Sequence, residues 1–575
     1  MARRGRWAVG SVAVLSVALY LARSWAGGHL GFPLDDAWIH QTYARNLVEY
    51  GQWAFVPGQP SAGSTAPLWT LLLAIGYGLG LPFRTWPFAL GGLCLVGTAL
   101  SAARLGERLF PNHRFAPLLV GLAAALEWHL VWAAASGMET LLFALLALAL
   151  WDRVVVQPAR RPFLTGLLGG GLILTRPEGV LAVGLAAGAW LWLGVEAWLR
   201  SRAAREDKRQ GRPRRGGPRR GGPCRGGPPC PPQSDEPPSG RASVGAGLRA
   251  RPSQATTEGR ATAEGRATTE GRPYIVGTVL MAAGAALVVL PYIALNLYLS
   301  GSPWPNTFYA KQAEYAALLA QPLAVRLWRV GVLPLIGAQV LLVPGLVWGL
   351  WQTARRGVRN LRGQQVTWWL PPVWAGATVA VYAVRLPVTY QHGRYLIPVI
   401  PIFLVYSIGG ALGIKARSPR PKVQPLSLGL TVWALSVAVL FLAFLFLGAR
   451  AYSTDVAIIE EEMVAVARWL DENTEPGALI AVHDIGAVGY FAQRPLLDLA
   501  GLVSPEVVPF IRDEERLLAW LREQDADYLV TFPSWYPTLT ADPRLQEVYR
   551  TNAAVTVAQG GENMTVYAPR WDREQ

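Results

Sequence analysis

Two adjacent carboxylates, Asp35 and Asp36, follow directly on the first apolar run of this 575-residue chain. They open the segment "DDAWIHQTYARNLVEYGQW", which has an apolar stripe typical of an amphipathic helix lying in a membrane interface, formed by Ile39, Tyr43, Leu47 and Tyr50. One carboxylate is enough to cap such a helix, because acidic side chains complement the positive end of its dipole. A second carboxylate beside lipid is unfavourable unless it faces water, pairs with a cation or removes a proton from a reacting hydroxyl.

Further polar side chains interrupt the apolar runs or lie at their ends. His40 lies one helical turn after Asp36, so it either hydrogen-bonds that carboxylate or is an exposed polar residue. Arg176 and Glu178 either form an ion pair within a short turn or belong to a site. Arg394 either anchors the end of a span or binds an anion. The same group of polar residues includes Glu139, Asn306, Lys311 and His392.

The composition predicts a membrane protein. Apolar residues make up 52% of the chain and charged residues 16%, whereas soluble domains carry about 25% charged residues. Apolar runs of about 20 residues are long enough to cross a bilayer. The candidate spans are residues 7–26, 66–82, 84–104, 115–135, 138–156, 163–175, 179–199, 274–298, 332–351, 367–384, 395–414 and 427–448.

The basic residues predict how the spans are oriented. Most of the net charge of +15 lies in residues 200–272, and the rest is concentrated in short loops between apolar runs. If every run crosses the membrane, basic loops fall on both sides, which contradicts the positive-inside rule. If the short, Gly-interrupted run 66–82 is instead a juxtamembrane or re-entrant helix, all basic loops are cytoplasmic. This topology has about eleven spans, and it gathers the polar residues above on one external face.

Residues 200–272 have the composition of a disordered cytoplasmic loop. They are rich in Arg, Gly and Pro, end in repeats such as "ATTEGR", and offer little apolar surface to bury. The loop is either solvated filler or a ligand for anionic lipid or nucleic acid, and we expect the former. The three cysteines show neither a disulfide framework nor a zinc-ligand spacing.

Beyond residue 450 the pattern changes to that of an external α/β domain. The pattern predicts buried strands at residues 478–484 and 527–532, and a helix between them at 513–523. His483 and Asp484 then lie at a strand end, where they either form a turn or contact a substrate. The predicted divisions of the chain are 1–199 with a first external loop at 27–83, then 200–272, 273–450 and 451–575.

The order of these motifs resembles the GT-C superfamily of membrane glycosyltransferases, which use polyprenyl-phosphate sugars as donors. The resemblance rests on "LDDAWIHQTYARNLVEYGQWAFVPGQP", "AGSTAPLWTLLLA", "SGMETLLFALLALALW", "TRPEGVL", "PNTFYAK" and "GRYLIPVIPIF". The chain looks similar to bacterial enzymes that add arabinofuranosyl, mannosyl or related sugars to the cell envelope. The implied fold class is a polytopic α-helical membrane protein with about eleven transmembrane helices, juxtamembrane helices and a C-terminal extracytoplasmic α/β domain.

The resemblance implies an inverting sugar transfer. In the family, a carboxylate of the first external loop acts as general base on the acceptor hydroxyl, whose oxygen displaces the lipid phosphate from the anomeric carbon. By motif position Asp35 is the expected base, and Asp36 orients it, binds the acceptor or holds a metal. The expected phosphate and donor ligands are Arg176, Lys311, Arg394 and His392. The expected substrate-orienting residues are His40, Glu139, Glu178 and Asn306.

The resemblance also implies partners and a location. The expected partners are a polyprenyl-phosphate-linked sugar, a cell-envelope acceptor and membrane lipids, without nucleic acid, at an extracytoplasmic site of the plasma or inner membrane. No cofactor is certain, and a divalent metal at the acidic pair stays open. Two other functions stay open. One is a transporter or flippase of lipid-linked sugars, whose polar residues would lie near the bilayer midplane, and the other is an inactive envelope-assembly protein.

Overall fold

The computed structural model describes residues 1–156, 161–209, 272–359, 364–415 and 428–571. Most of the predicted loop at 200–272 therefore lies outside the described residues. The chain divides into two compact units, Met1–Leu191 with Val276–Gln575, and Trp192–Ile275. Every site residue discussed below belongs to the first unit.

Helices form most of the described chain before residue 428, because a helix satisfies its own backbone N–H and C=O groups within a bilayer. The predicted segment 66–82 contains a short apolar helix, α3. The elements of the N-terminal part are α1 (Arg3–Ala26), α2 (Asp36–Tyr50), the paired strands β1 (Ala54–Val56) and β2 (Gln59–Pro60), α3 (Pro67–Gly78), α4 (Thr85–Leu109), α5 (Ala116–Leu126), α6 (Trp128–Ala134), α7 (Thr140–Val156), α8 (Pro162–Thr175) and α9 (Gly179–Arg209).

The second set of helices begins after the central gap in the described residues. Pro291 lies inside the first of them and Pro344 inside the fourth. The elements are α10 (Arg272–Ser300), α11 (Asn306–Glu314), α12 (Leu323–Val332), α13 (Gln339–Arg359), α14 (Leu370–Arg385), α15 (Ile400–Lys415) and α16 (Leu428–Ile459).

Six helical segments of the described chain are long and apolar enough to cross a membrane, or eight if each of two bent pairs is one span. The first pair, Ala116–Leu126 and Trp128–Ala134, bends by 58° at Glu127, whose side chain caps the second helix. The second pair, Leu323–Leu335 and Gln339–Arg355, bends by 103°. These helices indicate a multi-pass membrane protein, and the number of about eleven spans stays a prediction.

After α16, a short π-helical turn at Glu460–Val464 leads into a sheet with flanking helices. The strand order is β4-β3-β5-β7-β6, in which β3 is parallel to β4 and β5, and β7 is antiparallel to β5 and β6. The strands are β3 (Ile480–Val482), β4 (Leu496–Asp498), β5 (Tyr528–Thr531), β6 (Leu545–Arg550) and β7 (Thr565–Pro569). The helices are α17 (Ala465–Asn473), α18 (Ile485–Phe491), α19 (Glu514–Glu523), α20 (Pro537–Thr540) and α21 (Ala554–Ala558).

The apolar stripe predicted for helix α2 does not face lipid along its length, because Ile39 and Tyr43 are buried in protein, although Tyr50 at the end of the helix is exposed. Residues 37–46 are all buried in protein. One cause is the packing of Trp38 against Tyr490 of α18, with the ring centroids 5.0 Å apart. Helical periodicity within α2 cannot show a contact with a segment so distant in sequence. The helix ends at Gly51, whose φ of 67° allows the left-handed terminal turn.

Asp35 joins the segment between α1 and α2 to the C-terminal sheet. The sequence allowed the Asp35 side chain to cap α2, but the structure shows no such hydrogen bond. Instead, its two carboxylate oxygens accept the backbone N–H groups of Gly486 at 2.6 Å and Ala487 at 2.7 Å, at the start of α18. The negative carboxylate thus satisfies free N–H groups at the positive end of a helix. A Cβ atom at Gly486 would lie 2.1 Å from the backbone oxygen of Asp35, so this approach requires glycine.

We predict that Gly486→Ala destabilises the protein by about 1–3 kcal/mol, because the added methyl group forces α2 and α18 apart. The apparent Tm of the purified protein in detergent, followed by intrinsic fluorescence, measures this effect. Gly376→Ala in α14 is the matched control, since a Cβ atom there meets nothing within 4 Å. An unchanged Tm for Gly486→Ala would contradict the close approach.

Candidate functional site

Asp36, Lys311 and Arg394 form an ion cluster, here called the charged wall, in which Arg394 is buried and the other two residues are half-buried. Asp36 begins α2, Lys311 lies in α11, and Arg394 follows the turn Gln391–Gly393. Lys311 Nζ lies 3.1 Å from Asp36 Oδ2, and Arg394 Nη2 donates to the same oxygen. Arg394 Nη2 also donates to the Tyr395 hydroxyl at 3.1 Å. One carboxylate thus holds two cations.

Some hydrogen-bond donors of the charged wall have no acceptor within it. Arg394 is 3% exposed, and its Nε and Nη1 atoms have no hydrogen-bond partner among the residues that the structure describes. With one carboxylate and two cations, the wall also carries one excess positive charge. Because a buried cation without a counter-charge is unfavourable, the arrangement is suited to receive an anion.

Electrostatic interactions keep Asp36 and Lys311 ionised. Burial disfavours the charged form of Asp36, but Arg394 and Lys311 outweigh burial and hold the pKa of this carboxyl well below its ordinary value. Burial also disfavours the charged form of Lys311, but the Asp36 carboxylate raises the pKa of the amine above its ordinary value. Both groups are therefore charged at neutral pH.

An apolar cavity of about 290 Å³ borders the charged wall. Much of its lining is hydrocarbon and aromatic, while charged groups gather at the wall and around Arg176. Such a lining suits a hydrocarbon chain with a charged end. Its apolar lining includes Ile39, Pro177, Val180, Trp304, Phe308 and Val381.

Arg176 is the centre of a second buried ion group on this cavity. Its Nε atom lies 3.1 Å from Glu139 Oε1 and 3.4 Å from Glu178 Oε1, while Nη1 has no hydrogen-bond partner among the described residues. His40 Nε2 lies 3.6 Å from Glu139 Oε2. The predicted hydrogen bond from His40 to Asp36 is therefore wrong, and so is the exposed alternative, because the buried helix α2 directs His40 toward Glu139.

A second, more polar cavity of about 510 Å³ also borders the charged wall. The C-terminal segment supplies much of its lining, so the cavity joins the membrane helices to the sheet. Its ionisable residues besides the wall are Asp35, Glu314, His483, Asp484 and Arg512. Its aromatic residues are Tyr315, Tyr390, Trp535 and Tyr536.

Asp35 lines the polar cavity but not the apolar one, whereas Asp36 lines both. The two aspartates also differ in their electrostatic environments. Burial raises the pKa of Asp35 to about 8, and the nearby negative charge of Asp484 adds to the rise. The N–H groups of Ala487 and Gly486 oppose it by stabilising the carboxylate. A carboxylate with a pKa near neutrality is a stronger proton acceptor than an ordinary aspartate.

The structure brings most of the predicted site residues to these two cavities, but it leaves His392 and Asn306 outside both linings. His392 Nε2 lies 2.8 Å from Asp455 Oδ2, and the left-handed turn at Gln391 and His392 separates this side chain from Arg394. Asn306 begins α11, where its backbone N–H donates to Ala62. The lining residues are Asp35, Asp36, His40, Glu139, Arg176, Glu178, Lys311 and Arg394.

Several residues that line or border the two cavities were not predicted from the sequence. Glu314 lies one helical turn after Lys311 on α11, so helical spacing alone puts both side chains on the same face of the helix. Tyr395 adjoins Arg394, and its hydroxyl contacts the wall. Trp535 and Tyr536 gave no signal, because an aromatic residue in a loop is uninformative without the fold.

The carboxylate oxygens of the acidic pair contact other groups of the protein. Both oxygens of Asp35 accept backbone N–H groups, and Asp36 Oδ2 is shared by two cations. Within the described part of the chain, no group of three or more His, Cys, Asp or Glu residues is positioned to hold a metal ion.

No curated protein matches this sequence. Residues 454–567 match a family model described as "Domain of unknown function (DUF8728)". Among solved structures, ArnT from Cupriavidus metallidurans bound to undecaprenyl phosphate is similar, with a TM-score of 0.54 and 13% identity over 99% of this chain and 98% of that one. An oligosaccharyltransferase of Archaeoglobus fulgidus tethered with an acceptor peptide has a TM-score of 0.55 and 12% identity, over 99% of this chain and 74% of that one.

These two structures match nearly the whole of this chain, including its membrane helices and its C-terminal segment. Both are GT-C glycosyltransferases. At identities of 12–13% the likeness concerns the fold alone, and it agrees with the resemblance carried by the sequence motifs. The chain therefore has the GT-C fold of the membrane glycosyltransferases.

Proposed function

We propose that this protein is an inverting glycosyltransferase that moves a sugar from a polyprenyl-phosphate donor to an extracytoplasmic acceptor. The main support for the proposal is the charged wall, which borders both an apolar cavity and a polar cavity. The guanidinium of the wall also has N–H groups without a hydrogen-bond partner among the described residues. A donor of this class has a hydrocarbon chain, a phosphate and a sugar. It therefore matches an apolar cavity that ends at buried cations.

The donor phosphate binds at the charged wall in this proposal. Arg394 Nε and Nη1 donate to phosphate oxygens, and Lys311 neutralises part of the phosphate charge. Asp36 holds both cations in place before the donor arrives. The likeness to ArnT bound to undecaprenyl phosphate supports a lipid phosphate as the ligand. Arg176, Glu139 and Glu178 then lie along the same cavity, where they orient the donor sugar.

The acceptor binds in the polar cavity, beside Asp35. Asp35 takes the proton of the acceptor hydroxyl, the oxygen forms a bond to the anomeric carbon, and the bond from that carbon to the phosphate oxygen breaks. The phosphate leaves with the electron pair of that bond, and the cations of the wall stabilise its negative charge. Because attack and departure occur on opposite faces of the sugar, one displacement inverts the anomeric configuration.

The proposed reaction is tested with the full chain in nanodiscs and a panel of radiolabelled polyprenyl-phosphate sugars. We expect acceptor-dependent release of the lipid phosphate, and Arg394→Gln to slow it by about 10²-fold or more, because the departing phosphate loses its main donor. Arg329→Gln, which removes an exposed guanidinium that contacts Gln321, is the matched control. Movement of intact donor across the bilayer without cleavage would favour a flippase and contradict the proposal.

The pKa of Asp35 predicts the pH dependence of transfer. A base acts only when ionised, so kcat/KM measured from pH 6 to 9 should rise with pH and level off above about 8. Asp35→Asn should lower the plateau by about 10²–10⁴-fold and remove the rise. The asparagine oxygen can still accept one of the two N–H groups of α18, so the fold is retained.

The apparent Tm of Asp35→Asn reports on folding and serves as the control for this variant. A flat pH profile for the wild type, or a folded Asp35→Asn variant with near-normal transfer, would show that Asp35 is not the general base.

A further inference from the structure

The C-terminal segment builds the part of the polar cavity that lies away from the membrane helices. Trp535 lines this cavity and remains 41% exposed. It follows β5, and its ring packs against Phe532 with the centroids 4.8 Å apart. Large exposed aromatic side chains at a polar cavity provide a flat apolar surface for a ligand. The mechanism above gives this surface no role.

His483 packs against the Trp535 ring. The imidazole lies edge-on to the indole at 4.9 Å and an angle of 75°. Its Nε2 atom lies 3.4 Å from Glu314 Oε1, and its Nδ1 atom 3.2 Å from Asp484 Oδ1. Burial disfavours the charged ring, but Asp484 and Glu314 outweigh burial and raise the pKa of His483 to about 10. A charged imidazole held by two carboxylates thus supports the aromatic surface.

The same cavity offers hydrogen-bond acceptors beside the aromatic surface. The buried Gln391 Oε1 has no hydrogen-bond partner among the described residues, so a ligand hydroxyl can donate to it. Tyr315 and Tyr390 form a ring pair on the cavity with centroids 5.5 Å apart. An aromatic surface together with hydroxyl-binding groups is what a sugar ring needs, because a sugar has apolar C–H faces and a polar edge.

The charges of the polar cavity balance once the donor phosphate of the proposed function is bound at the charged wall. Asp35 is largely protonated at neutral pH, so the carboxylates are those of Asp36, Glu314 and Asp484, the cations are Lys311, Arg394, Arg512 and protonated His483, and the phosphate supplies the fourth negative charge. A cavity without excess charge favours a neutral ligand over an acidic or basic peptide or a phosphorylated headgroup.

We propose that the acceptor is a neutral saccharide, whose terminal ring stacks on Trp535 and whose hydroxyl groups bind Gln391 and the neighbouring carboxylates. This inference rests on the proposed function and names the acceptor class. Trp535 determines acceptor specificity, and His483 is a positioning residue that acts through it.

The test uses the full chain in nanodiscs, labelled with a fluorophore, on an array of neutral bacterial envelope oligosaccharides and of peptides. We expect binding to at least one oligosaccharide and to no peptide. Trp535→Ala should weaken that binding by about tenfold, which corresponds to about 1.4 kcal/mol, whereas Trp535→Phe retains a ring and should lose much less. Val557→Ala, an exposed apolar truncation outside both cavity linings, is the control.

A second variant covers the case in which Trp535→Ala does not fold. Ser534 is exposed and lines the cavity, so Ser534→Trp should block the saccharide without removing any packing. Absence of saccharide binding by the wild type, preference for peptides, or wild-type binding by folded Trp535→Ala or Ser534→Trp would overturn the inference. Donor cleavage by the wild-type protein is measured separately, so a failure here is distinguishable from a failure of the proposed function.

Discussion

The site depends on one shared carboxylate. Asp36 holds the half-buried Lys311 and the buried Arg394 together and so offsets the unfavourable burial of the Arg394 guanidinium. The three residues come from α2, α11 and the turn before α15, so the pairing fixes three distant parts of the chain relative to one another. Because one carboxylate cannot neutralise two cations, the same contact that stabilises the structure leaves it prepared for an anion. In the proposed function, stability and phosphate binding therefore have one physical origin.

The neighbouring Asp35 performs a different structural task. It binds the first turn of α18 and so docks the C-terminal sheet beside the charged wall. Residues of the C-terminal segment line the polar cavity together with residues of α2 and α11. The family match over residues 454–567 covers this segment. Two adjacent aspartates thus serve two cavities, one by holding cations and one by joining the membrane helices to the sheet.

The sequence was sufficient to predict a helical membrane protein and to single out most of the charged residues that line the two cavities. The long apolar runs and the basic loops predicted a helical membrane protein with Asp36, Lys311 and Arg394 on one face, and the structure brings these three side chains into contact. The sequence was insufficient where a contact joins distant segments. Asp35 caps α18 across 451 residues, and His40 turns to Glu139 instead of Asp36. Local periodicity describes one helix at a time, whereas these side chains are directed by tertiary packing.

A structure of the full chain in nanodiscs with undecaprenyl phosphate, determined by cryo-electron microscopy, tests the central claim most directly. The account predicts phosphate density within hydrogen-bond distance of Arg394 Nε and Nη1, with the hydrocarbon chain in the apolar cavity lined by Val180 and Val381. Phosphate density elsewhere, with Arg394 Nε and Nη1 still unoccupied, would contradict it.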